Sequence, residues 1–242
     1  MSNSKIEWTE KSWNPTTGCT KISSGCDNCY AEVLANRLKS MGVEKYENGF
    51  NVKLHKNEIQ KPTKWKKSSI VFVNSMSDLF HENIPEKFIL EVFAVMNECH
   101  WHVFQVLTKR VKRLHELSEK LRWTSNIWMG VTVESERYIS RVEILRKTGA
   151  KVKFISFEPL LGPIPNLSLE AIDWVIVGGE SGMKARPLNK NWVLDIRQQC
   201  LEEKVSFFFK QWGGKNKKKN GRELEGRVYS EMPIFKRQVD LY

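Results

Sequence analysis

Six short apolar runs, each closed by polar or glycine residues and most separated from the next by an amphipathic stretch, restrict this 242-residue chain to a narrow set of folds. The runs span residues 70–73, 103–107, 127–131, 152–157, 174–177 and 205–209. They are β-branched or aromatic and nearly continuous, as strands buried on both faces must be. Residues 86–99, 110–120, 135–147 and 191–204 repeat apolar side chains every three to four positions, the period of a helix with one buried face. A further helix is expected at about residues 30–40. Strand alternating with helix implies right-handed βαβ crossovers and a parallel barrel or open sheet. Six or seven such units fit this length, fewer than the eight of a closed barrel. The expected fold is therefore α/β, an incomplete (β/α) barrel of about six or seven parallel strands.

Sites on parallel α/β folds gather at the carboxyl ends of the strands. Here those ends read Asn74-Ser75-Met76-Ser77-Asp78, Thr108-Lys109-Arg110, Thr132-Val133-Glu134, Glu158-Pro159, Gly178-Gly179-Glu180-Ser181-Gly182 and Lys210-Gln211-Trp212. Loop solvation requires polarity but not an acid or base at one strand end after another. Glu158 follows a strongly apolar run and precedes a proline, which leaves a carboxylate at the rim; with Lys109 it is a candidate catalytic group. Lys109 and Arg110 sit where strand gives way to helix and suit a phosphate or carboxylate of a substrate. Capping of the following turns accounts equally well for Ser77, Asp78 and Glu134. Gly178 and Gly179 permit close backbone approach to a ligand, or a tight turn.

Five cysteines form a poor disulfide framework, because three fall within eleven residues and two stand alone. Cys99 and Cys200, in apolar helical surroundings, read as core residues. Cys19, Cys26 and Cys29, spaced C-x6-C-x2-C with glycines before the first two, read as thiolate ligands of a metal. Cys29 falls at an expected helix start, which favours thiolate over thiol. Three soft ligands without a fourth cysteine leave one coordination position open. Two metals stay in view. One is an iron–sulfur cluster with one iron lacking a protein ligand. The other is zinc completed by one of His55, His81, His100, His102 or His115, which would make the chain a zinc-stabilised nucleic-acid-binding module without catalysis.

The formal net charge of +11, from 39 Lys and Arg against 28 Asp and Glu, favours polyanionic partners such as DNA, RNA or a nucleotide. Lys215, Lys217, Lys218, Lys219 and Arg222 concentrate that charge in a segment, 213–227, expected to lack fixed structure and to clamp a phosphate backbone or simply be solvated. The expected organisation is residues 1–213 as the partial barrel and 214–242 as a basic loop and tail packed on the same domain. Of nine tryptophans, Trp65, Trp101, Trp128 and Trp174 read as packing, whereas Trp8, Trp13 and Trp212 lie in polar contexts that suit either packing or base stacking. No apolar run approaches the roughly 18 residues needed to cross a bilayer, and the first residues lack a secretory apolar core. The expectation is no membrane association and a cytoplasmic location.

A three-cysteine loop in front of a run of βα units, with an aromatic residue beside the last cysteine, resembles the radical S-adenosylmethionine (SAM) superfamily. Through Trp-Asn-Pro-Thr-Thr-Gly-Cys, Asn-Ser-Met-Ser-Asp-Leu-Phe, Leu-Thr-Lys-Arg, Ser-Phe-Glu-Pro-Leu-Leu-Gly and Gly-Gly-Glu-Ser-Gly, the chain also resembles a phage-associated family of unknown function, described as the partner of three-cysteine-motif proteins. The superfamily resemblance implies a [4Fe–4S] cluster on Cys19, Cys26 and Cys29 whose free iron chelates SAM. It also implies an electron donor and a 5′-deoxyadenosyl radical that abstracts hydrogen from a substrate. Asn74, Ser77, Asp78, Thr132 and Glu134 are the expected SAM contacts, with Gly178, Gly179 and Glu180 as a possible glycine-rich SAM turn. Two features depart from the superfamily. Its usual loop is C-x3-C-x2-C, and its glycine-glycine-glutamate turn follows the second strand.

Overall fold

A computed structural model describes residues 6–234. Seven strands form one sheet: β1 (Lys11–Trp13), β2 (Ile70–Val73), β3 (Val103–Thr108), β4 (Ile127–Thr132), β5 (Val152–Phe157), β6 (Trp174–Gly178) and β7 (Ser206–Gln211). All neighbours are parallel, and their spatial order is their chain order. Sequential winding with a consistent crossover hand curls such a sheet toward a barrel. With seven strands it stays open. The expected incomplete barrel is the fold observed.

The helices are α1 (Tyr30–Ser40), α2 (Glu86–Glu98), α3 (Val111–Ser118), α4 (Ser140–Arg146) and α5 (Lys190–Glu202). Alternate strand residues, among them Val71, Val106, Met129, Ile155 and Val177, pack with helix residues such as Phe93, Leu114, Leu145 and Ile196 in the main core. The residues between them face the other way. Phe72, Trp128, Phe154, Trp174 and Phe208 join Trp8 in a second cluster on the concave face. Toward the carboxyl ends that face turns polar, as Trp128 is followed two and four residues on by Gly130 and Thr132, and Phe154 by Ser156 and Glu158. The strand period of two therefore builds an aromatic floor beneath a polar mouth.

Two elements differ from the sequence expectation. β1 was not foreseen because Lys-Ser-Trp has no apolar run; it becomes a strand through its register with β2 (Lys11↔Val71, Ser12↔Phe72, Trp13↔Val73) and the burial of Trp13. Between β5 and β6, where the sequence shows no helical pattern, the described chain has no helix, and buried Leu160, Ile164, Leu167, Leu169 and Ile172 cover the sheet. The basic segment is structured: Lys217–Asn220 is a turn of helix and Glu223–Leu224 pairs with Arg227–Val228. Beyond it, Phe209 N donates to Tyr229 O (3.1 Å) and Glu231 N to Phe207 O (3.2 Å), so the chain returns along the edge of β7. An edge paired in this way is not open to another chain. The rest of the expected 214–242 unit, residues 235–242, lies outside the described residues, as do residues 1–5, on which the secretory-signal reading partly rests. Among the described residues no helix is long and apolar enough to cross a membrane.

Candidate functional site

The cysteine loop leaves the carboxyl end of β1 and is tied to the strand-end loops from its first residues. Gly18 N donates to Met76 O (3.0 Å) and Cys19 N to Phe50 O (3.1 Å). Gly18 has φ +84°, and a Cβ there would run into the Asn51 carbonyl, so glycine is needed on both counts. A 3-10 turn, Ser24–Cys26, follows, and Cys29 is the N-cap of α1, as its place in the sequence suggests. All three cysteines are half-buried and line one cavity of about 700 Å³ at the carboxyl ends of the strands.

Most of the expected site residues meet in that cavity: Asn74, Ser77, Asp78, Lys109, Arg110 and Thr132, together with Glu158, Gly179, Glu180 and Lys217. Several serve visible ties. Asn74, with φ 61°, donates from Nδ2 to Thr16 Oγ1 (2.9 Å), and Ser77 Oγ donates to Thr16 O (3.1 Å). Asp78 accepts from Thr108 Oγ1 (2.7 Å), Lys109 N (3.0 Å) and Phe80 N (3.0 Å), which locks the β2 and β3 loops together and includes the turn-capping role foreseen for it. Glu158 accepts from Lys210 Nζ (2.7 Å), Ser156 Oγ (3.1 Å) and Trp8 Nε1 (3.3 Å). Glu134, Gly178, Lys215, Lys218 and Lys219 are not part of the cavity wall. Lys210, Ser156, Tyr30 and Asn28 do line it and were missed as site residues. Lys210 and Ser156 each lie two residues after a floor aromatic, a signal that period-two reading exposes.

Trp8 and Trp13 are buried and so belong to packing, while Trp212 is half-buried and donates to Glu223 O (2.8 Å). Cys99 and Cys200 are fully buried, in keeping with a core role.

Burial, aided by Asp78, pushes the Cys19 thiol up to about 11 against the opposing pull of Arg110. Arg110 Nη2 lies 3.7 Å from Cys19 Sγ and donates to Thr20 O (3.0 Å), and its guanidinium pairs with Glu82. Burial alone would raise the Glu180 carboxyl, but hydrogen bonds from Arg186 and Asn28 outweigh it and hold Glu180 below its usual value.

Among the described residues no three His, Cys, Asp or Glu side chains are gathered into a metal-holding group. The thiols line one cavity without forming such a group. Their chemistry nonetheless fits an iron–sulfur cluster: three soft donors in a cavity that polar side chains also line. Among the described residues no histidine lines that cavity, and His81 and His55 bond Thr20 Oγ1 (3.0 Å) and Thr17 Oγ1 (2.8 Å).

The model of a family described as protein of unknown function (DUF5131) matches residues 3–233. The chain belongs to this family. No curated protein matches it. Among solved structures, spore photoproduct lyase complexed with dinucleoside spore photoproduct is similar, with a TM-score of 0.50, 12% identity and 82% of this chain covered. A mutant of that lyase with bound AdoMet and the same dinucleoside gives 0.46 at 12% identity, covering 81% of this chain and 63% of its own. This chain spans 62% of the first lyase chain. At this identity the likeness is one of fold, and the family member is thus an incomplete, radical-SAM-like (β/α) barrel.

Proposed function

We propose that this protein is an iron–sulfur enzyme of the radical SAM type, with Cys19, Cys26 and Cys29 as the cluster ligands. One observation carries the reading: three thiols from the loop after the first strand line the polar mouth of an open parallel barrel, and among the described residues no further cysteine or histidine lines it. When bound, cluster and SAM supply a one-electron cleavage of the sulfonium and a radical able to abstract hydrogen. The chain's own part is to bind, orient and exclude water. The floor of Trp8, Phe72, Phe154 and Trp174 closes the lumen below the mouth. Asn74, Ser77, Asp78 and Thr132, with the Gly179 backbone, are the groups proposed to face SAM. Lys210 beside Glu158 presents a donor and an acceptor at the end of the lumen, suited to a polar group of the substrate, and Lys109 and Arg110 offer cationic contacts across the mouth.

The substrate class favoured is nucleic acid or a nucleotide. Lys217 brings the basic turn to the cavity rim, where it pairs with Glu7 (3.5 Å), so Lys215, Lys218 and Lys219 lie on a turn adjoining the mouth. The similar fold of a lyase solved with a dinucleoside supports testing nucleic-acid components first. An electron donor is required by this chemistry, and a three-cysteine-motif protein is the partner proposed from the sequence resemblance.

Anaerobic reconstitution with iron and sulfide should give a brown protein absorbing near ~400 nm. Incubation with SAM and reductant should then release 5′-deoxyadenosine, and Cys19→Ala, Cys26→Ala or Cys29→Ala should abolish both. Stoichiometric zinc without iron or sulfide would overturn the assignment in favour of the binding module.

A further inference from the structure

Each of the three cysteines has a carboxylate–arginine pair beside it, and each pair is anchored to different strand ends of the half-barrel. Glu82–Arg110 flanks Cys19. Glu134–Arg141 flanks the turn bearing Cys26. Glu134, whose side chain is 0% exposed, accepts from Ser23 Oγ and from Arg141 Nη1 (2.7 Å), and Arg141 also donates to Thr132 O (2.6 Å). The Arg141 guanidinium lies 4.3 Å from the centre of the Tyr138 ring, whose hydroxyl accepts from Ser24 N (3.2 Å). A Cβ at Gly25 would fall 2.5 Å from Glu134 Cγ, so the turn rests directly on this carboxylate.

Glu180–Arg186 flanks the segment leading to Cys29. Glu180 accepts from Asn28 Nδ2 (3.0 Å), Arg186 N (2.9 Å), Arg186 Nε (3.0 Å) and Arg186 Nη2 (2.6 Å). Arg186 Nη2 also reaches Ser24 O (2.8 Å), and Nη1 pairs with Asp27 (3.4 Å). Both oxygens of each glutamate are therefore occupied, and of the six donors Ser23 and Asn28 belong to the cysteine loop and three come from Arg186, which itself grips that loop. A SAM amino group approaching either carboxylate would compete with these donors, and at Glu134 it would draw the carboxylate away from the buried Arg141.

Resting on the radical SAM reading for the identity of the group held, we propose that Glu134 and Glu180 are positioning residues that fasten the Cys26 and Cys29 arms of the loop to the barrel, and do not touch SAM. Outer-shell partners of metal ligands set ligand orientation in this way. The Gly-Gly-Glu turn of this chain thus has a different task from the one its resemblance suggests.

The test uses full-length Glu134→Gln and Glu180→Gln proteins, with Ser23→Ala and Asn28→Ala removing the same contacts from the loop side. In apoprotein, alkylation followed residue by residue should rise several-fold at Cys26 for the first site and at Cys29 for the second. Buried Cys99 and Cys200 stay unreactive, which reports an intact fold. If a glutamate variant exposes those two, its loop-side partner supplies the measurement. In anaerobically reconstituted protein, iron should be lost to a chelator roughly 10-fold faster, while the SAM dissociation constant of the cluster-bearing fraction stays at the wild-type value. Weakened SAM binding with unchanged iron retention and thiol reactivity would overturn the proposal, as would unchanged alkylation in all four variants. If wild-type protein takes up no iron, the cluster assignment fails by itself, and the alkylation pattern alone decides the positioning role.

Discussion

His55 shows how a residue's environment, and not its type, sets its behaviour. It was a candidate zinc ligand by type, yet it is buried, bonded to Thr17, and pushed down to about 4 by burial first and then by Lys45 and Lys53. The unfolded chain takes up this proton near 6.5 and the folded one only near 4, so between those values the unfolded state binds more protons. Stability should be full above pH ~6.5 and fall as the pH drops toward 4, by at most ~3 kcal/mol from this group. Urea unfolding at a series of pH values checks it: His55→Asn should flatten that part of the profile, and an unchanged slope would refute the assignment. At Gly18 the constraint is backbone. Gly18→Ala places a Cβ at φ +84° against the Asn51 carbonyl and should cost ~1–3 kcal/mol in the same assay, with Cys19 displaced. The cysteines were legible as residues because their spacing is local. Of their partners, Arg110 was read as a substrate contact, and Arg141 and Arg186 were not recognised, since an arginine on or beside a helix looks like surface until the fold shows what it faces.

The elements divide in the same way. Apolar runs and helical periods located six strands and five helices to within a few residues, because each carries its own pattern of burial. β1 has no such pattern and depends on a neighbour sixty residues away in register. The segment before it is equally dependent on the fold: Trp8 packs against Phe72 (4.6 Å between centroids) and Trp174 (6.1 Å), plugging the lumen under the mouth. Trp8→Ala should destabilise the protein by ~3–5 kcal/mol, the usual range for removing a large buried ring. Trp8→Phe should retain most of the packing and lose the bond to Glu158, for a cost of ~1 kcal/mol. Thermal unfolding of the two variants separates the contributions, and equal losses would contradict the plug.

Across the whole molecule, the charge of +11 acts through the geometry of the mouth. A basic turn brought to the cavity rim by Lys217 concentrates a field where a polyanion would enter. If nucleic acid binds there, log affinity should fall linearly with log salt. Replacing Lys215, Lys217, Lys218 and Lys219 together by Gln should reduce the magnitude of that slope by ~3–4 and leave iron content unchanged. Fluorescence anisotropy with a labelled oligonucleotide measures it, and a slope unmoved by the four substitutions would place the contact elsewhere. The class of fold, the concave mouth and the three thiols were determined by the sequence itself, since periodicity, strand-end position and cysteine spacing are local properties of a chain. Which strand-end groups face a ligand and which hold the cysteine loop was decided only by tertiary structure. Glu134 and Glu180 look like Glu158 along the chain, and they differ in what binds their oxygens: Ser23 and Asn28 of the cysteine loop with Arg141 and Arg186 for the first two, and Lys210, Ser156 and Trp8 for Glu158.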